Sequence, residues 1–234
     1  MSDGGPDAPA TVGVAVPAAG LGRRMGGVRK PLLQLAGEPI LLRALRPFLA
    51  DPRVISIVVA MAAEDALDPP EWLRGFDQRI TLVEGGDTRG ASVARAVAAL
   101  PQEVSVIAVH DAARPLVSAD VIGRCIDLAH AGFGAVAGTP AVDTIKRVDA
   151  RAFVTGTPDR STLWLAHTPQ VFPAAELRSA YASGIDTATD DAALVEAAGG
   201  RIRMVDDGGT NLKVTRALDL VVAEAILAVQ DASS

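Results

Sequence analysis

Val12-Gly13-Val14-Ala15-Val16-Pro17-Ala18-Ala19-Gly20-Leu21-Gly22-Arg23-Arg24-Met25 is an apolar run that breaks into a glycine- and arginine-rich loop, with Lys30 soon after it. Glycines let backbone amides approach an anion, and Arg and Lys add fixed cations, which together make a polyphosphate-handling loop. The first strand is therefore expected to end at a nucleotide. Two familiar phosphate loops do not fit. The dinucleotide fingerprint G-x-G-x-x-G begins at Gly20 and Gly22 but meets Met25 at its third glycine, and Ala62 and Ala63, not an acid, follow the next strand. Gly22 and Gly27 have P-loop spacing, yet Val28 occupies the lysine position.

Composition sets the class. The 234 residues are 49% hydrophobic and only 3% aromatic, enough Val, Ala, Leu and Ile for one sizeable core or two small ones between α/β layers. A net charge of -6 argues against a large basic surface for nucleic acid or anionic membrane, so anionic ligands must be held by locally placed Arg and Lys. The single cysteine, Cys125, cannot form an internal disulfide, and Ile122, Ile126 and Ala129 around it make it core filler rather than a nucleophile. This fits a reducing cytoplasm. No signal-peptide pattern and no uncharged apolar run near the ~20 residues of a membrane span is present, and residues 1–11, rich in Gly, Pro and Asp, read as a disordered leader.

Beyond the leader, β-branched runs alternate with segments of helical period, the order of a sheet with helices on both faces. Strands are expected at 12–16, 54–60, 79–83, 104–110, 134–141 and 201–205, and helices at 39–50, 92–100, 118–131, 174–183, 191–198 and 215–230. Ser118 and Thr215 read as N-caps and Gly199-Gly200 as a helix stop. Residues 143–157 break the alternation, with Ile145, Val148, Phe153 and Val154 flanking a turn at Asp149-Ala150-Arg151. This reads as a hairpin off the main sheet, too small to be stable alone and expected to pack on another subunit.

Ligands of open α/β sheets sit beyond the carboxyl ends of the strands. Three segments there draw notice: 18–24, Glu84-Gly85-Gly86-Asp87-Thr88-Arg89 with Ser92, and His110-Asp111-Ala112-Ala113-Arg114-Pro115. Gly85-Gly86 is an ordinary turn or a loop contacting base or phosphate. Asp111 and Arg114 form a plain surface ion pair, or Asp111 holds Mg²⁺ or a hydroxyl.

In the order Pro17-Ala18-Ala19-Gly20-x-Gly22-x-Arg24-Met25, Lys30, Gly85-Gly86-Asp87 with Arg89 and Ser92-Val93, Val109-His110-Asp111-Ala112-Ala113-Arg114-Pro115, Asp143-Thr144-Ile145-Lys146, Asp159-Arg160, Thr168-Pro169-Gln170, Thr189-Asp190-Asp191-Ala192 and Asn211-Leu212-Lys213-Val214-Thr215, the chain resembles the 2-C-methyl-D-erythritol 4-phosphate cytidylyltransferases. The resemblance implies a three-layer Rossmann-like nucleotidyltransferase fold, a single domain over 12–231 with a dimerisation arm at about 143–165, and a homodimer. It implies attack of the methylerythritol phosphate on the α-phosphorus of CTP, with Mg²⁺ or another divalent cation. It assigns Pro17, Ala18, Ala19, Gly20, Gly85, Gly86, Asp87 and Ser92 to the nucleotide. Arg24, Lys30, Arg160 and Lys213 become the catalytic cations, with Arg160 reaching across the dimer. Asp111, Ala112, Arg114, Thr144, Thr168 and Thr189 line the acceptor pocket, Asp111 being also the candidate metal ligand.

The chemistry accounts for these residue types. A phosphate monoester is already an anionic nucleophile, so the obstacle is repulsion between anions, about 4 kcal/mol for unit charges ~4 Å apart at an effective dielectric of ~20. Arg24 and Lys30 would balance charge on the α-phosphorus and the leaving pyrophosphate, while Lys213 and Arg160 hold the attacking phosphate in line. His110, His130 and His167 then have no proton to move and are expected to pack or bond to backbone. Arg23, adjacent to Arg24, faces elsewhere. Arg29-Lys30-Pro31 departs from the family's usual surroundings of that lysine, and the framework is shared with cytidylyltransferases for other polyol phosphates such as ribitol 5-phosphate. A nucleotide-binding regulator without turnover is the alternative of another class.

Overall fold

The computed structural model describes residues 8–20, 32–183 and 189–232. Most of the expected leader, together with Gly22, Arg23, Arg24, Met25 and Lys30, lies outside the described residues. The central sheet has seven strands. In chain order, β1 (Val12–Pro17) is followed by a small hairpin of β2 (Gln34–Leu35) and β3 (Glu38–Pro39), helix α1 (Ile40–Leu49), β4 (Val54–Met61), the short α2 (Ala63–Leu67) and β5 (Ile80–Glu84). Then come α3 (Arg89–Ala99), β6 (Val106–Val109), α4 (Ala119–His130), β7 (Gly134–Pro140), a second hairpin of β8 (Arg147–Val148) and β9 (Val154–Gly156), β10 (Trp164–Pro173), α5 (Ala174–Ala182), α6 (Asp191–Ala197), β11 (Ile202–Asp206) and α7 (Ala217–Asp231). The sheet order is β11-β7-β10-β6-β1-β4-β5, and β10 runs antiparallel to both its neighbours.

Alternation of side chains along the central strands creates two cores. Val12, Val14 and Val16 of β1, Ile57, Val59 and Met61 of β4, and Val106 and Ala108 of β6 face α1 and α4 through Leu45, Phe48, Ile122 and Ile126. Ala15, Val58, Ala60, Ile107 and Val109 point the other way, onto Val93 and Val97 of α3, Leu177 of α5 and Val195 of α6. These layers are the doubly covered sheet that the sequence pattern implies. Cys125 is buried in the first core, where burial pushes its thiol up to about 12, so it packs rather than reacts. Helix α7 closes a third, smaller cluster over Leu35, Ile40, Leu116 and Val214. Among the described residues no helix is long and apolar enough to cross a membrane.

Three local readings change. Strand β10 is absent from the sequence-based list because His167-Thr168-Pro169 interrupts its apolar alternation; its pairing with β7 skips between Ala166 and Gln170, where Pro169 has no N–H to give. Helix α3 begins at Arg89, not Ser92, because the Thr88 hydroxyl caps it by accepting from the Ala91 N–H at 3.0 Å. Thr215 is not the N-cap of α7: Arg216 holds that position, and the Asp219 carboxylate reaches back to accept from the Thr215 and Arg216 amides. Ser118 does cap α4, accepting from Val121 N at 3.2 Å. Gly199, at φ 88°, ends α6 with Gly200 N bonded to Val195 O and Gly199 N to Glu196 O, a Schellman closure.

The β8-β9 hairpin forms a sheet of its own. Asp149 closes its turn by accepting from the amides of both Arg151 and Phe153 at 2.9 Å. Val142, Val148, Phe153 and Val154 are exposed, Phe153 by 68%. The excursion ends where Trp164 and Leu165 pair with Pro140 and Thr139 of β7.

Candidate active site

The chain runs from β1 outward through β4 to β5, then returns to the other side of β1 as β6. Loops leaving β1 and β6 therefore part in opposite directions and leave a crevice at their carboxyl ends. A cleft of about 740 Å³ lies there, lined by residues 17–20 after β1, 84–89 and Ser92 after β5, 111–113 after β6, and Lys213.

The first wall is made by close backbone approach. Ala18 N donates to Ala60 O and Gly85 N to Met61 O, both at 2.7 Å, so the ladder continues past the strand ends. A Cβ on Gly85 would lie 2.4 Å from the Ala19 Cβ and 2.9 Å from the Ser92 Oγ. Glycine is required there for the two loops to meet. Ser92 Oγ accepts from Gly86 N at 3.1 Å and has Thr88 O at 3.0 Å for its own proton, which fixes the glycine loop onto the start of α3. Asp87 is exposed on the cleft lip.

The opposite wall is built around Asp111, which is 7% exposed. Its Oδ1 accepts from Arg89 Nε at 2.9 Å and its Oδ2 from Lys213 Nζ at 2.6 Å. Burial pushes this carboxyl up, but the charges of Arg89 and Lys213 outweigh it and hold Asp111 well below the usual carboxylate range. The other arm of Arg89, Nη2, donates to Asp191 Oδ2 at 2.9 Å, and Tyr181 donates its hydroxyl proton to Asp191 Oδ1. Burial works against the Arg89 charge, and Asp111 and Asp191 more than restore it. No group of three His, Cys, Asp or Glu able to hold a metal occurs among the described residues.

A buried relay sets the loop after β6. Thr168 Oγ1 accepts from Asp111 N at 3.0 Å and lies 3.2 Å from His110 Nδ1, while His110 Nε2 lies 3.0 Å from Arg114 O. These partners assign Nε2–H as donor and Nδ1 as acceptor, a neutral imidazole. Burial pushes His110 down to about 4. Arg114 Nη1 donates to Asn211 O at 2.6 Å, and Val214 N to Ala113 O at 2.8 Å, so the 211–214 segment is laid beside the 110–115 loop with Lys213 over Asp111. The surface ion pair between Asp111 and Arg114 is not formed: Arg114 is buried and turned to the Asn211 carbonyl. His167 Nδ1 lies 2.7 Å from Asp207, itself held by Asn211 Nδ2 at 3.0 Å.

Of the residues singled out in the sequence, the cleft lining thus unites Pro17, Ala18, Ala19, Gly20, Gly85, Gly86, Asp87, Ser92, Asp111, Ala112 and Lys213. Thr168 and Arg114 stand behind that lining. Thr144 and Arg160 are exposed on the excursion between β7 and β10, with Arg160 Nη1 donating to Val142 O at 2.6 Å, and Thr189 is exposed just before the N-cap of α6. Arg89, Asp191 and Tyr181 were not singled out as site residues. Arg89 and Asp191 stand in the quoted motifs without a role, and the structure adds a further signal: Arg89 holds the first position of a helix, where the dipole disfavours a cation.

The sequence profile of one family, described as 2-C-methyl-D-erythritol 4-phosphate cytidylyltransferase (IspD), matches residues 12–229. The protein of that name from Parasynechococcus marenigrum (strain WH8102) is 42% identical over 219 residues, covering 92% of this chain and 97% of the relative. That from Symbiobacterium thermophilum is 43% identical over 222 residues, 92% of each. The crystal structure of the Thermus thermophilus protein of that name superposes with a TM-score of 0.76 at 33% identity, covering 93% of this chain and 98% of that one. A 4-diphosphocytidyl-2C-methyl-D-erythritol synthase structure from Anaerococcus prevotii, 24% identical over 93% of this chain and 96% of its own, shares the fold with a TM-score of 0.82.

Two outcomes follow from this geometry. Gly85→Ala must push the β1 and β5 loops apart, so it should lower the unfolding free energy in urea titrations by about 1–3 kcal/mol while the transition stays cooperative. His110 has its pKa lowered from 6.5 to about 4. The unfolded chain therefore takes up a proton that the folded chain refuses, and stability present above pH 6.5 is lost as pH falls toward about 4. Between about pH 7.5 and about pH 5 this loss is about 2 kcal/mol, and urea titrations of His110→Gln should lack it.

Proposed function

We propose residue roles in the cleft from one premise: this chain belongs to the 2-C-methyl-D-erythritol 4-phosphate cytidylyltransferase family. It transfers the cytidylyl group of CTP to 2-C-methyl-D-erythritol 4-phosphate, giving 4-diphosphocytidyl-2-C-methyl-D-erythritol and pyrophosphate in isoprenoid precursor biosynthesis. The observation that carries the placement is the cleft at the sheet's switch point, with a glycine loop on one wall and Lys213 on the other.

Cytidine lies along the first wall, which Ala18, Ala19, Gly85, Asp87 and Ser92 line, with Pro17 and Gly86 shaping the loops. Gly20, Arg24 and Lys30 are assigned to the triphosphate, the last two on the motif alone. The acceptor occupies the Asp111 side, with Ala112, Thr144 and Thr189 around it and Arg114 and Thr168 bracing the loop from behind. Its phosphate needs no general base, so the protein's work is to hold two anions in line and neutralise them. Lys213 takes the acceptor phosphate, its side chain being 41% exposed to the cleft although paired with Asp111.

A magnesium ion fits this donor set: Mg²⁺ is commonly held by one or two carboxylates plus substrate phosphates, and of the cleft's carboxylates, Glu84, Asp87 and Asp111, the buried Asp111 is the one we assign to it. It would neutralise charge on the triphosphate. The exposed apolar face of the hairpin supports a homodimer in which Arg160 serves the partner's acceptor phosphate; within its own chain that guanidinium meets a backbone carbonyl. A buried, unreactive thiol and a chain with no cysteine pair support a cytoplasmic enzyme.

Pyrophosphate release, followed with CTP, ATP, GTP and UTP against methylerythritol phosphate and ribitol 5-phosphate, tests the reading. Release is expected with CTP and methylerythritol phosphate; turnover only with ribitol phosphate, or CTP binding without turnover, overturns it. Removing residues 143–157 and closing the gap should abolish both dimer and activity, and an active monomer in sedimentation would refute the role of the arm.

A further inference from the structure

We propose that Arg89 is a positioning residue that ties the nucleotide wall to the acceptor wall and presets Asp111 and the start of α6 for the acceptor. The inference rests on the placement of the acceptor beside Asp111 and Thr189.

Local preference does not explain this arginine. It is the first residue of α3, where the helix dipole disfavours a cation by about 0.3–1 kcal/mol. Its tertiary contacts do. One edge of its guanidinium holds Asp111 after β6 and the other holds Asp191, 1% exposed, at the first position of α6. Three segments far apart in sequence thus meet on one planar group. The fork matters because Nε and Nη2 serve two different carboxylates at 2.9 Å each, and an ammonium offers no such fixed pair of directions.

Each contact has a consequence on the acceptor side. Holding Oδ1 of Asp111 leaves Oδ2 as the oxygen that faces Lys213, so Lys213 can move to a phosphate without leaving the buried carboxylate wholly unpaired. Holding Asp191 fixes the residue two beyond Thr189, while Asp190 caps the helix through Ala193 N and accepts from Gln170 Nε2 at 2.8 Å. Tyr181 closes the set on the far side of Asp191. The nucleotide-facing groups, Gly85, Gly86 and Ser92, are held by separate bonds to Met61, Thr88 and one another, none of which involves the Arg89 side chain.

The full-length Arg89→Met variant should therefore keep its Kd for CTP within about threefold by calorimetry, while its KM for methylerythritol phosphate rises by about tenfold or more and its kcat falls. Arg89→Lys should recover only part of this loss. Asp191→Asn, which keeps shape and the Tyr181 contact, should show the same split in milder form and decides the matter if Arg89→Met does not fold. Equal losses in CTP affinity and acceptor KM, or an unchanged acceptor KM, would overturn the inference. Asp111→Asn and Lys213→Ala serve as references: if both leave the acceptor KM unchanged, the placement of the acceptor fails instead.

Discussion

A buried carboxylate between two cations organises this cleft. Asp111 follows β6 at the point where the sheet's connections diverge, and its burial is tolerable only because Arg89 and Lys213 compensate both oxygens. Everything behind the cleft serves that arrangement. Thr168 takes the Asp111 amide, His110 stays neutral to link Thr168 with the Arg114 carbonyl, and Arg114 fixes the Asn211 carbonyl two residues before Lys213. Polar groups in such a network are costly when unpaired, so the loop after β6, the 211–214 segment and strand β10 are ordered together.

The wall with the glycine loop is held differently. It relies on the absence of atoms: no side chain at Gly85, so that two loops approach until an added Cβ would sit 2.4 Å from Ala19. Hydrogen bonds from the Gly86 and Ala91 amides to the Ser92 and Thr88 hydroxyls then fix the loop onto the beginning of α3. One helix start thereby carries both the glycine loop and Arg89, and the two halves of the site share a common support.

Much of the fold is legible because doubly covered strands leave a plain record. In 12–16 and 54–61 every residue but Gly13, Ile55 and Ser56 is a buried hydrophobic, so apolar runs mark the strands and helical periods mark the covering layers. Strand β10 was illegible for the converse reason: its middle residues serve the site, and His167, Thr168 and Pro169 erase the alternation. The cleft-facing glycines and Asp111 could be found from their position after strands. The pairing of Arg89 with Asp191 could not, because it joins residues 102 apart and neither segment's pattern refers to the other. Arg114 shows a related limit: an arginine three residues from an aspartate leaves an ion pair open as one reading, whereas its guanidinium is buried and turned to the Asn211 carbonyl.

Electrostatics explain how an acidic chain of net charge -6 can receive two anions. In the described cleft Asp111 and Asp191 are balanced by Arg89 and Lys213, so no excess positive charge is left uncompensated among these four. On the proposed placement of the acceptor, attraction for its phosphate arises by exchange: Lys213 gives up one oxygen anion, Asp111 Oδ2, and gains another. Both states place unit charges at hydrogen-bond distance, and each is worth several kcal/mol at an effective dielectric of ~20, so the net change is a small difference between large terms. A cation that remains on Asp111 throughout decides whether that difference is favourable. Arg89, anchored at its far edge by Asp191, is the cation that can remain.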